Sequence, residues 1–148
     1  MSHQSHYSAL ESMYLAAPIN QEIYHPTIKV SKGEAEIVIP LSEKFHHAGH
    51  AVHGSVYFKM LDDAAYFAAN SMDTEFFVLT SSFTTYLTRP VKDGIFRAVG
   101  KVVSQSRTQF IAESIVYDIR EKEVGRGNGI FVRGKLPLVD AMGYDLNL

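Results

Sequence analysis

The stretch Gly54–Asn70 contains no proline, and no glycine after its first position. At about 100° per residue, Tyr57, Met60, Leu61, Ala64 and Ala68 fall on one apolar face, the spacing of an α-helix. The rest of the circumference is also largely apolar, with Phe58, Ala65, Phe67 and Ala69. A helix that is greasy almost all round has to be wrapped by other structure. The remainder of the chain must supply that wrapping, and this constrains the fold more than any other feature.

The segments that follow have the composition to do so. Residues 76–86, 95–105, 109–119 and 127–136 are rich in Val, Ile, Phe, Thr and Tyr. Turn signals separate them at Lys92-Asp93-Gly94, at Ser106-Arg107 and over 121–125. Short connections between long strands predict antiparallel neighbours. Upstream, residues 27–41 read as strand around a turn or bulge at Gly33; Ala35, Ile37 and Ile39 alternate with Glu34, Glu36 and Val38, and Pro40 ends the run. Residues 1–6 are polar and read as loose. Ser8 and Glu11 have the spacing of a capping box, opening a short helix that carries Leu10, Met13, Tyr14 and Ala17 and stops at Pro18. Residues 45–52 read as a loop with three histidines. The sum is an α+β arrangement, one long helix against a highly curved antiparallel sheet. Its edge strands need cover, and edge-to-edge pairing of two copies, a dimer, is one common solution.

A length of 148 residues suits one domain, 1–148, with an N-terminal extension over 1–20 and a C-terminal tail over 137–148. A 46% hydrophobic and 20% charged composition is that of an ordinary globular chain. The formal net charge of -2 argues against a non-specific nucleic-acid binder. The absence of cysteine excludes disulfides, thiolate metal sites and a Cys nucleophile. No basic, apolar leader and no membrane-length run marks the N-terminus, so the expected location is the cytoplasm, without a membrane partner.

Chemistry concentrates between His47 and Asp63. Adjacent carboxylates on one helix point about 100° apart, so Asp62 and Asp63 need separate explanations. Asp63 lies four residues after Lys59, the spacing of a solvated ion pair. Asp62 projects among Phe58, Ala65 and Ala69. A carboxylate in apolar surroundings has a raised pKa and suits general-base or nucleophilic work; a core carboxylate bonded to backbone or hydroxyls is the structural alternative. At the helix entrance, His53-Gly54 offers unpaired backbone N–H groups where a carbonyl could approach closely and have a developing oxyanion stabilised.

His53-Gly54-Ser55, followed by Leu61-Asp62 and then residues 65–70, resembles the helix-start motif of hotdog-fold thioesterases, most closely the phenylacetate-pathway type and its acyl-CoA thioesterase relatives. That family reads His-Gly-Gly with an Asp nine residues after the His, the spacing of His53 and Asp62 here. The resemblance extends over roughly residues 30–135, including Tyr86-Leu87-Thr88-Arg89-Pro90, which is similar to the family's strand ending in Pro. It implies hydrolysis of an acyl-CoA or related pantetheine thioester by a homodimer or a dimer of dimers, without metal or other cofactor. Asp62 is then the base or nucleophile, and the Gly54 N–H the oxyanion donor. Where the family often has Asn, His47 stands and could donate to the carbonyl oxygen; Ser55 replaces the second Gly. Thr80 matches the position from which relatives offer a hydroxyl to the carboxylate. Ser55, Phe58 and Phe83 are expected near the acyl group, and Arg107 first, then Arg89 and Lys101, near the CoA phosphates.

Three rivals stand beside this reading. His46, His47, His50 and His53 with Asp62 could hold zinc. The same scaffold supports acyl-thioester dehydratases, using a His with a carboxylate such as His53 with Asp62, and non-catalytic acyl-CoA binding. A purely structural interaction module would leave all these residues without chemistry.

Overall fold

The computed structural model describes residues 3–148. Helix α1 (His3–Ala16) leads through a single wide helical turn over Asn20–Tyr24 into a hairpin of β1 (Thr27–Ser31) and β2 (Glu34–Pro40). A loop then enters the long helix α2 (Gly54–Asn70). Strands β3 (Phe76–Leu87), β4 (Ile95–Gln105), β5 (Gln109–Tyr117) and β6 (Glu123–Pro137) follow, and a one-turn helix over Leu138–Asp140 starts the C-terminal segment. The six strands form one antiparallel sheet in the order β1-β2-β4-β5-β6-β3.

The sheet curls around α2 because α2 has an apolar surface on nearly every side to bury. Met60, Leu61, Ala64, Ala65, Ala68 and Ala69 are fully buried. Opposing them stand Ile37 and Ile39 of β2, Phe96 and Ala98 of β4, Phe110 of β5 and Phe131 of β6. The closest approach is at Gly100 of β4, where even a Cβ would run into the Ala64 carbonyl. The Ser114 hydroxyl of β5 donates to the Leu61 carbonyl at 2.7 Å, a second tie between sheet and helix.

Asn70 then sets β3 relative to α2. Its Nδ2 donates to the carbonyls of Asp73 and Phe76, both at 3.1 Å, and its Oδ1 accepts the Val78 N–H at 3.0 Å. Strand β3 pairs only with β6, so its other edge is open, and most of its residues from Leu79 onward are exposed.

The N-terminus departs from expectation. Residues 3–6 are helical rather than loose, and His6 is fully buried. Its Nε2 lies 2.9 Å from the Asn70 carbonyl and its Nδ1 2.7 Å from the Tyr144 hydroxyl. Ser8 therefore lies inside α1, not at its cap, and Glu11 accepts the Val30 N–H of β1 at 2.8 Å instead of reaching back. Strand β6 starts at Glu123, earlier than its composition suggests. The Asp118 carboxylate accepts the N–H groups of Arg120 and Lys122, so the preceding turn closes sooner. Among the described residues, no helix is long and apolar enough to cross a membrane.

Candidate active site

Asp62 lies halfway along α2, half-buried, and its Oδ1 accepts the Thr80 hydroxyl of β3 at 2.9 Å. A register irregularity between Thr80 and Ser82 turns this part of β3. Burial pushes the Asp62 carboxyl up to about 6, and the neighbouring charge of Asp63 adds to that; the Thr80 bond and Lys59 act in the opposite sense. The carboxylate faces a pocket of about 490 Å³. Its apolar walls include Phe67 and Phe77, with Met13 from α1 and Met142 from the C-terminal segment.

Asp63 is not the solvated residue its spacing suggested. Lys59 Nζ lies 2.5 Å from its Oδ2, and the side chains are only 13% and 19% exposed. The Tyr14 hydroxyl of α1 donates to the same oxygen at 2.7 Å. Lys59 also lies over the rings of Tyr14 and Tyr24, at 5.2 and 4.8 Å from their centroids. Docking of α1 thus converts a surface pair into part of the pocket wall.

The start of α2 forms a second, separate pocket of about 260 Å³, which includes Gly54, His47, Leu87 and Arg89. His53 caps the helix: its Nδ1 accepts the Ser55 N–H at 3.0 Å and lies 2.8 Å from the Ser55 Oγ. The His47 Nδ1 accepts the Gly49 N–H at 2.9 Å, and its ring lies 6.4 Å from that of His53.

The predicted residues therefore fall into groups. Asp62 meets Thr80, while Gly54 shares its pocket with His47 and Arg89. Phe58 packs edge-on against Phe83 at 5.7 Å, and the Phe83 ring lies over Gly127 and Gly129. Gly54 and Asp62 stand eight residues apart on one helix, about 12 Å along its axis. A single chain does not bring them to one atom. Arg107 lies away from both pockets, in an open recess with Gln105, Ser106 and Arg133. Lys101 is exposed on β4, opposite Glu113. The loop histidines do not converge: the His46 Nε2 lies 2.7 Å from the Lys92 carbonyl, and among the described residues no three His, Asp or Glu side chains are placed to share a metal ion.

Sequence reasoning missed Tyr14 and Tyr66. Tyr66 follows Asp62 by one helical turn, a spacing that could have flagged it. It lines the Asp62 pocket, and its buried hydroxyl has no hydrogen-bond partner among the described residues.

Comparison with known proteins agrees with this architecture. Residues 49–124, about half of the chain, match the model of the thioesterase superfamily. The protein named "Putative esterase SSO1253" from Saccharolobus solfataricus is 24% identical over 104 residues, 70% of this chain and 69% of its own. Among solved structures, the E. coli PaaI protein from the phenylacetic acid degradation operon superposes with a TM-score of 0.82 at 18% identity, covering 91% of this chain and 97% of its own. The conserved protein PA5202 from Pseudomonas aeruginosa gives a TM-score of 0.73 at 24% identity, over 82% of this chain and 98% of its own. A helix wrapped by an antiparallel sheet, a sheltered carboxylate at mid-helix and a sequence match across both together establish that this chain belongs to the thioesterase superfamily, with the hotdog fold and, in general terms, thioester hydrolysis as its chemistry.

Proposed function

We propose that the chain, acting as a single domain over 1–148, hydrolyses an acyl-CoA or similar pantetheine thioester to a free acid and a thiol. The observation that carries this reading is the Asp62 carboxylate: sheltered, raised to about 6, oriented by Thr80 and open to a largely apolar pocket. Such a group takes a proton from water near neutral pH. In the general-base route, water oxygen bonds to the thioester carbon as Asp62 accepts the water proton. The oxyanion is met by the Gly54 N–H, with the His47 imidazole beside it. Collapse then breaks the C–S bond, and the departing thiolate takes the proton.

The 12 Å or so between Gly54 and Asp62 along the helix supports a site completed by a second copy, with Asp62 of one chain facing Gly54 of the other. The open β3 edge and the exposed Leu79, Tyr86 and Leu87 on it support pairing along that strand. Arg89, in the Gly54 pocket, is better placed for CoA phosphates than Arg107 or Lys101. The His53 ring is engaged at Nδ1 as the cap of α2, which supports a positioning role for it at the helix entrance. A cytoplasmic location is proposed on the same grounds as a CoA-linked substrate.

Thiol release from acetyl-, hexanoyl-, palmitoyl-, benzoyl- and phenylacetyl-CoA tests the reaction. The aryl esters are included because of the operon that encodes the E. coli neighbour. Co-expressed Asp62→Ala and Gly54→Val chains test the geometry. Each homodimer should be inactive, and random pairing should restore about a quarter of wild-type activity, since half the dimers carry one intact site. Hydrolysis without any recovery on mixing would rule out the two-chain site, and no thiol release from any ester would rule out the reaction.

A further inference from the structure

We infer that Lys59 and Asp63, tied together on α2 and anchored by Tyr14, are positioning residues that fix the charge environment of Asp62; this rests on the reading of Asp62 as the catalytic carboxylate.

The argument begins with the hydrogen bonds. Both donors to Asp63, the Lys59 ammonium at 2.5 Å and the Tyr14 hydroxyl at 2.7 Å, converge on Oδ2. An Asp63 charge held this way cannot swing out to solvent, and the Lys59 ammonium is enclosed by two tyrosine rings. A surface pair would be screened and nearly neutral in its effect. This pair is mostly sheltered and lines the same pocket as Asp62.

Asp62 and Asp63 are therefore adjacent carboxylates beside one cavity, of which Asp63 holds the Lys59 ammonium. Without Lys59 the Asp63 carboxylate beside Asp62 would be uncompensated, and a like charge disfavours the charged form of its neighbour. With Lys59 in place, Asp63 is held in an ion pair, and Asp62 beside it has no such partner. Directionally, Asp63 raises Asp62 and Lys59 lowers it, so the two act in opposite senses.

The other groups facing Asp62 are two tyrosines, a threonine hydroxyl and a third aspartate. Tyr14 from α1 and Tyr66 from α2 are held protonated, chiefly by burial and further by the aspartates. From β3 comes only the Thr80 hydroxyl, and Asp140 of the C-terminal segment lines the far part of the same pocket. Tyr14 belongs to a segment outside the stretch that matches the superfamily, so α1 extends the site beyond it.

The test is the protonation midpoint of the Asp62 side chain. It is read by carbon-13 NMR of the full-length protein, with the signal assigned by its loss in Asp62→Asn, alongside the acid limb of kcat/KM. Lys59→Met keeps the aliphatic stem and should raise the midpoint by on the order of one pH unit; Asp63→Asn should lower it by a similar amount. The double variant Lys59→Met/Asp63→Asn removes both charges and should fall between the two single variants. A merely structural pair would lower activity evenly across pH and leave the midpoint unmoved. Three unchanged midpoints, or two single variants shifting in the same direction, would overturn the inference. If Lys59→Met does not fold, the Asp63→Asn shift decides alone. The titration does not need turnover, so it is separable from the proposed hydrolysis, which fails instead if Asp62→Ala keeps full activity.

Discussion

The Thr80 hydroxyl donates to Oδ1 of Asp62 at 2.9 Å, joining the open edge strand β3 to the middle of the buried helix. A hydroxyl on a carboxylate oxygen holds that side chain in one rotamer and favours its charged form. Thr80→Val keeps the branched shape and removes the donor. It should lower kcat by about tenfold, in line with about 1.5 kcal/mol for a hydrogen bond to a charged group. It should also move the acid limb of the pH profile upward, since the Thr80 bond lowers the Asp62 pKa. Thr80→Ser should recover most of both, and a pH profile of Thr80→Val that coincides with wild type would exclude this role.

In the proposed mechanism Asp62 works as base or nucleophile only when ionised, so kcat/KM should rise with pH through a limb near 6 and level off above it. Asp62→Ala should reduce kcat by at least about a hundredfold while the protein remains folded. Steady-state rates between about pH 4 and 8 (about two units either side of the limb) check both statements. A flat acid side would mean that another group carries the chemistry.

The same carboxylate carries a stability cost with a definite sign. Its folded pKa lies above its unfolded value, so between about pH 4 and 6 the folded state binds the extra proton, and stability falls as pH rises through that window. Asp62→Asn removes the cost of a buried charge. After allowance for its partial exposure to solvent, the gain should be on the order of 1 kcal/mol at pH 8 and absent at pH 4. Urea titrations at the two pH values read the difference directly. A variant equally stabilised at both, or less stable at pH 8, contradicts it.

Gly54 tests the helix entrance. A Cβ there would lie 3.0 Å from Leu87 Cδ1, a flexible side-chain tip that can give way. Gly54→Ala should therefore fold with nearly unchanged thermal stability, yet obstruct a carbonyl approaching the Gly54 N–H. The expected loss is about tenfold to a hundredfold in kcat, as for an impaired oxyanion donor. Unimpaired turnover would remove Gly54 from the mechanism.

Gly100 tests the fold. A Cβ there would strike the Ala64 carbonyl and the Ala65 nitrogen, both backbone atoms of α2 that cannot move independently. Gly100→Ala should cost at least about 2 kcal/mol through overpacking and prise helix from sheet. Chemical denaturation of this variant, compared with Gly54→Ala, separates a packing glycine from a site glycine.

Much of the architecture could be read from residue order alone. The helix over Gly54–Asn70 and strand β4 over Ile95–Gln105 have the bounds their patterns predict, because each is delimited by local signals: caps, prolines, turn glycines and unbroken apolar periodicity. The wrapped helix and the antiparallel strands follow from the same local chemistry, whereas the choice of Asp62 over a core carboxylate rests on the resemblance to the thioesterase motif. What depended on distant partners was not legible. His6 looks like a polar tail residue until the Asn70 carbonyl and the Tyr144 hydroxyl, 64 and 138 residues away, satisfy its ring. Asp63 reads as a surface ion pair until α1 brings Tyr14 over it. Local periodicity determines which faces are apolar, but the burial and proton affinity of a carboxylate depend on what the rest of the chain lays against it. Only the tertiary structure decided that.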